Sequence, residues 1–162
     1  MLFNYYLKRL TKNELGYRNN KLVTGQFLYI SKEASPFFPT LSQSIHNDHK
    51  YIELLVDYKD HPIFVNYIYH NDKFNRVGGT RDEFRIYLNR DFAPDDFFYK
   101  PNDIIIFKKN SENKYQFQKV NQSDKNYDYL NTLIENNHIR GSHALIETLN
   151  KIPILSPTLN CL

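Results

Sequence analysis

Two short polar segments hold ten of the chain's 21 Lys and Arg residues. Lys8 to Gln26 carries Lys8, Arg9, Lys12, Arg18 and Lys21 against Glu14 alone, a net +4. Asn71 to Arg90 carries Lys73, Arg76, Arg81, Arg85 and Arg90 against Asp72, Asp82 and Glu83, a net +2. The whole chain is only +3, so all other residues sum to −3 and the positive charge is focused on two loops. Any one of these cations alone reads as a solvated surface charge; two clusters read as a footprint for phosphate. Residue type divides the work. Arg pairs bidentately with guanine and Asn or Gln with adenine, which makes Arg18, Asn19, Gln26, Asn75, Arg76 and Arg81 candidate base readers. Lys12, Lys21 and Lys73 are point charges suited to phosphate. Asn13, Tyr17, Thr80, Asp82 and Arg85 complete the candidate surface. The carboxylates Glu14, Asp82 and Glu83 suit the orienting of neighbouring arginines, and the alternative use of such a group is to accept from a cytosine amino group.

Other patterns imitate catalysis. Asp57-Tyr58-Lys59 with Glu53 upstream resembles the acid-x-Lys core of magnesium nucleases, in which two carboxylates hold the metal and Lys stabilises charge. Such triplets are frequent and the fold that normally carries this core alternates helices with strands, so Asp57-Tyr58-Lys59 reads as a charged hairpin end. His46-Asn47-Asp48-His49 lacks a third ligand at a motif spacing and reads as a solvated loop. A lone Cys161 excludes an intramolecular disulfide and a Cys-rich zinc site, and no phosphate-loop motif is present. No catalytic residue, metal or cofactor is therefore assigned. The Cys usage, the absence of a long apolar run and the absence of a leader pattern place the chain in the cytoplasm with no membrane partner.

The elements that must position these loops are strands. With 13 Tyr, 12 Phe and 41% hydrophobic residues, the 162-residue chain has enough apolar surface for one core. Seven runs of β-branched and aromatic residues recur between turn clusters: Leu2 to Leu10, Gln26 to Ser31, Tyr51 to Tyr58, Pro62 to His70, Glu83 to Asn89, Asp103 to Lys109 and Lys114 to Val120. Lys59-Asp60-His61 and Asn110-Ser111-Glu112-Asn113 read as hairpin loops. In the fifth run Phe84, Ile86 and Leu88 face inward and Arg85 outward, while the sixth, Ile104 to Phe107, is apolar throughout and reads as central. The aromatics Tyr5, Tyr6, Phe27, Tyr29, Phe64, Tyr67 and Tyr69 read as barrel filling. Short helices are expected at Ala34 to Leu41, capped by Ser35-Pro36, and at Ala93 to Tyr99, where Pro94-Asp95-Asp96 opens the turn. After a polar break, Tyr127, Leu130, Leu133 and Ile134 make one helical face, and a second helix is expected over Ser142 to Asn150. The tail around Ile152 to Pro157 reads as coil.

The order strand, basic loop, strand, short helix, hairpin, basic loop, strand, short helix, hairpin resembles the DNA-binding pseudobarrel of plant B-three domains and of EcoRII-type restriction-enzyme amino-terminal domains. The resemblance rests on Lys8-Arg9-Leu10-Thr11-Lys12-Asn13-Glu14-Leu15-Gly16, Thr24-Gly25-Gln26, Phe37-Phe38-Pro39 and Gly79-Thr80-Arg81-Asp82-Glu83-Phe84-Arg85-Ile86. It continues through Phe97-Phe98-Tyr99-Lys100-Pro101-Asn102-Asp103, where Asn102-Asp103 replaces the Gly-Asp of plant domains. It implies a seven-stranded open pseudobarrel, mainly β with short helices, over residues 1–120, and a small helical extension or linker over 121–162. It further implies two arms that enter the major groove of double-stranded DNA, at the two loops singled out by charge. Similar domains target restriction systems, including McrB-like subunits of LlaJI type. On this resemblance the chain is a recognition module without catalysis of its own, partnered by a nuclease or NTPase domain or subunit. A single-stranded nucleic-acid or RNA barrel is the alternative, and a small magnesium nuclease using Glu53, Asp57 and Lys59 a further one.

Overall fold

Alternating apolar side chains build a curled wall of strands around an aromatic core. The computed structural model describes residues 2–22 and 25–149. In chain order the strands are β1 (Tyr5–Arg9), β2 (Tyr17–Arg18), β3 (Lys21–Leu22), β4 (Phe27–Ile30), β5 (His49–Leu55), β6 (Ile63–His70), β7 (Glu83–Tyr87), β8 (Ile104–Ser111), β9 (Lys114–Val120), β10 (His138–Arg140) and β11 (His143–Ile146). The helices are α1 (Asp72–Asn75) and α2 (Tyr127–Asn137). Nine strands form one sheet, ordered β10-β11-β1-β8-β9-β5-β6-β7-β4, and β2 and β3 form a separate hairpin. The β5–β9 pair is parallel and its neighbours antiparallel. All seven expected strands are present, and both expected hairpins connect the pairs assigned to them.

The barrel closes without a final ladder. As the terminal strand, β4 presents unpaired backbone groups, which need partners when buried. Glu14 and Lys8 supply them: Tyr29 N donates to Glu14 Oε1 at 3.0 Å, and Lys8 Nζ donates to Tyr29 O at 2.7 Å. The two side chains pair at 2.9 Å with exposures of only 2% and 4%. Burial lowers the Lys8 ammonium pKa, and the adjacent Glu14 charge opposes that shift. Glu14 Oε2 also accepts from Thr11 N and Thr11 Oγ1, which fixes the root of the first basic loop. Lys8 is thus internal and neutralised, and Glu14 orients a lysine instead of an arginine.

Two apolar clusters result. Tyr6, Phe37, Phe38, Tyr67, Phe107, Tyr115 and Phe117 fill the barrel, and Leu7, Ile104, Ile106, Leu130, Ile134 and Ala144 pack between the opposite face of β1 and β8 and α2 with β11. Coverage on both faces explains why Ile104 to Phe107 is apolar throughout. Asn102 has φ 72, the left-handed turn for which Asn substitutes for Gly.

Several expectations need correction. Ser142 to Asn150 is not a second helix over its described part: β11 occupies His143–Ile146 and pairs with the edge of β1, from Tyr5↔Ile146 to Lys8↔His143. Helix propensity in Ala-Leu-Ile-Glu is a weak preference that pairing with an open edge overrides. The extension after Val120 is therefore a helix followed by two strands that enlarge the sheet. Ala93 to Tyr99 forms turns, because Asp95 Oδ1 accepts from Phe97 N at 2.8 Å and offers the backbone an alternative to the helix. The segment from Ala34 is a 3-10 turn over Ser35–Phe37 whose cap is Ala34, while Ser35 Oγ donates to Lys32 O. Tyr6, Tyr67 and Tyr69 fill the barrel, but Phe64 is exposed, and Tyr5, Phe27 and Tyr29 are only partly buried. Thr24, Asn150, the coil at Ile152 to Pro157 and Cys161 lie outside the described residues.

Candidate nucleic-acid interface

The register of one strand pair places the two basic loops. β4 pairs with β7 antiparallel, from Phe27↔Tyr87 to Ile30↔Phe84. The first loop enters β4 at Phe27 and the second enters β7 at Glu83, so they stand at opposite ends of this ladder, roughly 10–13 Å apart at the strand rise of ~3.3 Å per residue. Between them the alternation that buries Leu28, Ile30, Phe84 and Ile86 turns Phe27, Tyr29, Glu83, Arg85 and Tyr87 outward. The Arg85 guanidinium lies 3.9 Å from the Phe27 ring centre and pairs with Glu83. Tyr87 Oη and His70 Nε2 are 2.7 Å apart, and burial, followed by Arg81 and Arg85, lowers the His70 pKa.

The first loop ends in a two-residue hairpin. Asn19 (φ 49) and Asn20 (φ 58) both adopt the left-handed conformation that a type I′ turn requires, and Asn accepts it readily. Arg18 and Lys21 are thereby direct cross-strand neighbours, both exposed, with no ion-pair partner among the described residues. Like charges opposite each other cost stability in an isolated hairpin. Lys12 and Asn13 are exposed at the loop root, and Tyr17 packs beside Phe97 at 6.5 Å. Gln26 is partly buried and donates its amide to Asp96 O at 2.9 Å.

The second loop is folded around its own acids. Asp72 Oδ2 accepts from Arg81 Nε at 2.7 Å, and Asp72 Oδ1 lies 2.8 Å from His46 Nε2. These contacts, Arg81 first, hold the Asp72 carboxyl below its ordinary pKa. Because Arg81 is bound through Nε, its two terminal nitrogens remain without a partner among the described residues, on a side chain 42% exposed. Asp82 pairs with Lys32, lies 3.9 Å from Lys73 and accepts from Tyr69 Oη at 2.7 Å. Asn71, fully buried, donates to Ser42 O, Gln43 O and Ile45 O and so ties the loop to the preceding segment. Asn75 spends its amide hydrogens on Gln43 O and Asn71 O, and an adenine contact requires giving those up. Arg76 and Thr80 are exposed.

Sequence reasoning missed Asn71, Asp72 and His46, whose role appears only in the fold. The adjacent Gly78-Gly79 was the available signal of close backbone approach: a Cβ at Gly79 would lie 2.2 Å from Asp72 O. The nuclease-like residues are dispersed in their pairing. Glu53 lies 3.8 Å from Lys114, Lys59 lies 3.7 Å from Asp91, and Asp57 is exposed. No group of three or more His, Cys, Asp or Glu among the described residues can hold a metal ion, and His46 and Asp48 serve as loop brackets. No helix among the described residues is long and apolar enough to cross a membrane.

No protein-family model matches the chain, and no curated protein does. Among solved structures, the N-terminal domain of Helicobacter pylori LlaJI.R1 superposes with a TM-score of 0.57 at 18% identity, covering 90% of this chain and 99% of that domain. The two chains share one fold. The likeness extends past the first 120 residues, since 90% coverage includes part of the segment that carries α2, β10 and β11. The open pseudobarrel read from the sequence motifs is thus the architecture of the molecule, with more strands than the seven expected.

Proposed function

We propose that this chain is a double-stranded DNA-recognition module of a bacterial restriction system, with no catalysis of its own, that brings a nuclease or NTPase partner to a target sequence in the cytoplasm. The observation that carries the proposal is the placement of two cationic loops at opposite ends of one strand pair whose outward face is half-buried, each loop held by buried brackets. In this reading the arms enter the major groove. Arg18, Arg76 and Arg81 read bases and Lys12, Lys21 and Lys73 hold phosphate, with Asn13, Tyr17, Asn19, Gln26, Asn75, Thr80, Asp82 and Arg85 at or beside the interface. The shared fold with a LlaJI.R1 domain agrees with the resemblance of the sequence motifs to LlaJI-type subunits.

Exposed Tyr51 and Phe64, at 63% and 57% on β5 and β6, favour a second reading in which bases of a single strand stack on the sheet. One gel-shift titration with duplex, single strand and RNA separates the two. Preference for duplex with salt-dependent affinity supports the module, and preference for single strand or RNA overturns it. Incubation with magnesium tests the nuclease alternative. Cleavage by the 162-residue chain that Asp57→Ala and Lys59→Ala both abolish, with binding intact, overturns the non-catalytic reading.

A further inference from the structure

The apex of the second arm is apolar. Gly79 N donates to Arg76 O at 3.1 Å and Gly78 has φ 74, so Arg76-Val77-Gly78-Gly79 is a type II turn with Val77 at its first corner. Val77 has a relative exposure of 108% and makes no packing contribution to the fold, and Phe74, one turn earlier, is 45% exposed. A singly exposed hydrophobic is ordinary on a protein surface and by exposure alone marks nothing. This apex is also braced: Arg76 N donates to Asp72 O at 2.9 Å, Lys73 N donates to Arg81 O at 3.1 Å, and Gly79 presses on the Asp72 carbonyl. It stands between two exposed arginines, Arg76 and Arg81.

A rigid apolar point between cations matches a surface that is polyanionic at its rim and offers an isolated apolar group within. The major groove has one such group, the 5-methyl of a pyrimidine. We infer that Val77, seconded by Phe74, contacts a pyrimidine 5-methyl group, so that the module distinguishes thymine or 5-methylcytosine from the unmethylated base at one position of its site. This rests on the duplex-binding reading above. The cleft of about 260 Å³ lined by Lys8, Glu14, Tyr29 and His143 offers no competing site, because Lys8 and Glu14 are already engaged in closing the barrel.

The test uses the full chain and a duplex selected from a random pool. Each thymine is replaced singly by deoxyuridine and each cytosine by 5-methylcytosine, and affinity is measured for the wild type and for Val77→Ser, an exposed substitution that leaves the core intact. One buried methyl corresponds to about a fourfold change in affinity. The expected result is a loss of about that size on deoxyuridine, or a gain on 5-methylcytosine, at one position in the wild type and no such step in Val77→Ser. Which of the two probes responds identifies the source of the methyl. Duplex binding with every substitution within twofold, or with the same step in both proteins, overturns the inference and leaves the duplex reading standing. Absence of duplex binding overturns both.

Discussion

Truncating Glu14 to Ala tests whether an ion pair closes the barrel. The carboxylate accepts four hydrogen bonds, from Lys8 Nζ at 2.9 Å, Tyr29 N at 3.0 Å, Thr11 N at 3.0 Å and Thr11 Oγ1 at 2.9 Å. Its removal leaves the Lys8 ammonium, 2% exposed, without its counter-charge, a loss of about 3–5 kcal/mol when one partner of a buried pair is deleted. The orphaned Tyr29 N–H adds about 1–3 kcal/mol if water cannot reach it, whereas Thr11 is exposed and recovers a water bond. The adjoining cleft of about 260 Å³ admits water to the vacated site, which places the total near the lower end, at about 4 kcal/mol. That is a large fraction of the ~5–15 kcal/mol typical of a domain, so urea unfolding monitored by circular dichroism should show a much lower midpoint at similar slope. In a Lys8→Met background the same truncation should cost less by about 1–3 kcal/mol, the coupling expected of neighbours. A loss below about 1 kcal/mol, or full additivity in the double mutant, would refute closure by the pair.

Arg81→Ala should weaken cognate duplex binding by about 1–3 kcal/mol and relax sequence choice; equal loss on scrambled duplex would demote Arg81 to a phosphate contact. Lys21→Ala should lower affinity evenly across sequences and reduce the salt slope by about 1, and an unchanged slope removes Lys21 from the interface. Gly79→Ala places a Cβ 2.2 Å from Asp72 O and should disorder the second arm, seen as lost duplex affinity and faster amide exchange over residues 72–81 with the core strands still protected; unchanged affinity would mean that the bracing is dispensable. Burial raises the pKa of Tyr6 and Tyr99 well above the ordinary 10.0 and of Tyr58 to about 12, so the unfolded chain releases these protons first and stability, intact below pH 10, falls as pH rises above it. A urea midpoint that stays constant from pH 9 to 11.5, or phenolate absorbance that rises before the structure unfolds, would contradict that burial.

What the sequence revealed and what it hid follow from the range of the interactions. Alternation such as Phe84, Ile86 and Leu88 is local, and so were the strands and the outward position of Arg85. The turn at Asn102 was legible from the resemblance, because Asn stands there in place of Gly and tolerates the left-handed backbone the fold shows. The closure through Lys8 and Glu14 was not, since its partner Tyr29 belongs to a strand that becomes neighbouring only when the sheet curls. Counting Lys8 with the basic loop followed from ignoring burial. His143 to Ile146 has helical residues and a strand's place, which only the open edge of β1 determines. The brackets of the second arm were hidden in the same way: Asn71 and Asp72 act on Ser42, Gln43, Ile45 and His46, 26 to 29 positions away.

The acids of the two arms give those arms different work. By charge count Asp72, Asp82 and Glu83 merely dilute the second segment to +2. In the fold each is committed to one or two cations: Asp72 to Arg81, Asp82 to Lys32 and Lys73, Glu83 to Arg85. A guanidinium held through Nε has lost rotational freedom before any ligand arrives and still offers two parallel donors, which favours directional recognition over bulk attraction. The first arm has the opposite economy. Its only acid is buried with Lys8, so Lys12, Arg18 and Lys21 stand exposed without carboxylate partners among the described residues. Arg18 opposite Lys21 is a repulsion that a polyanion relieves, and relief by any phosphate chain is insensitive to base sequence. The duplex-binding reading therefore predicts that substitutions in the first arm act mainly on the salt dependence of binding and those around Asp72 mainly on its sequence dependence.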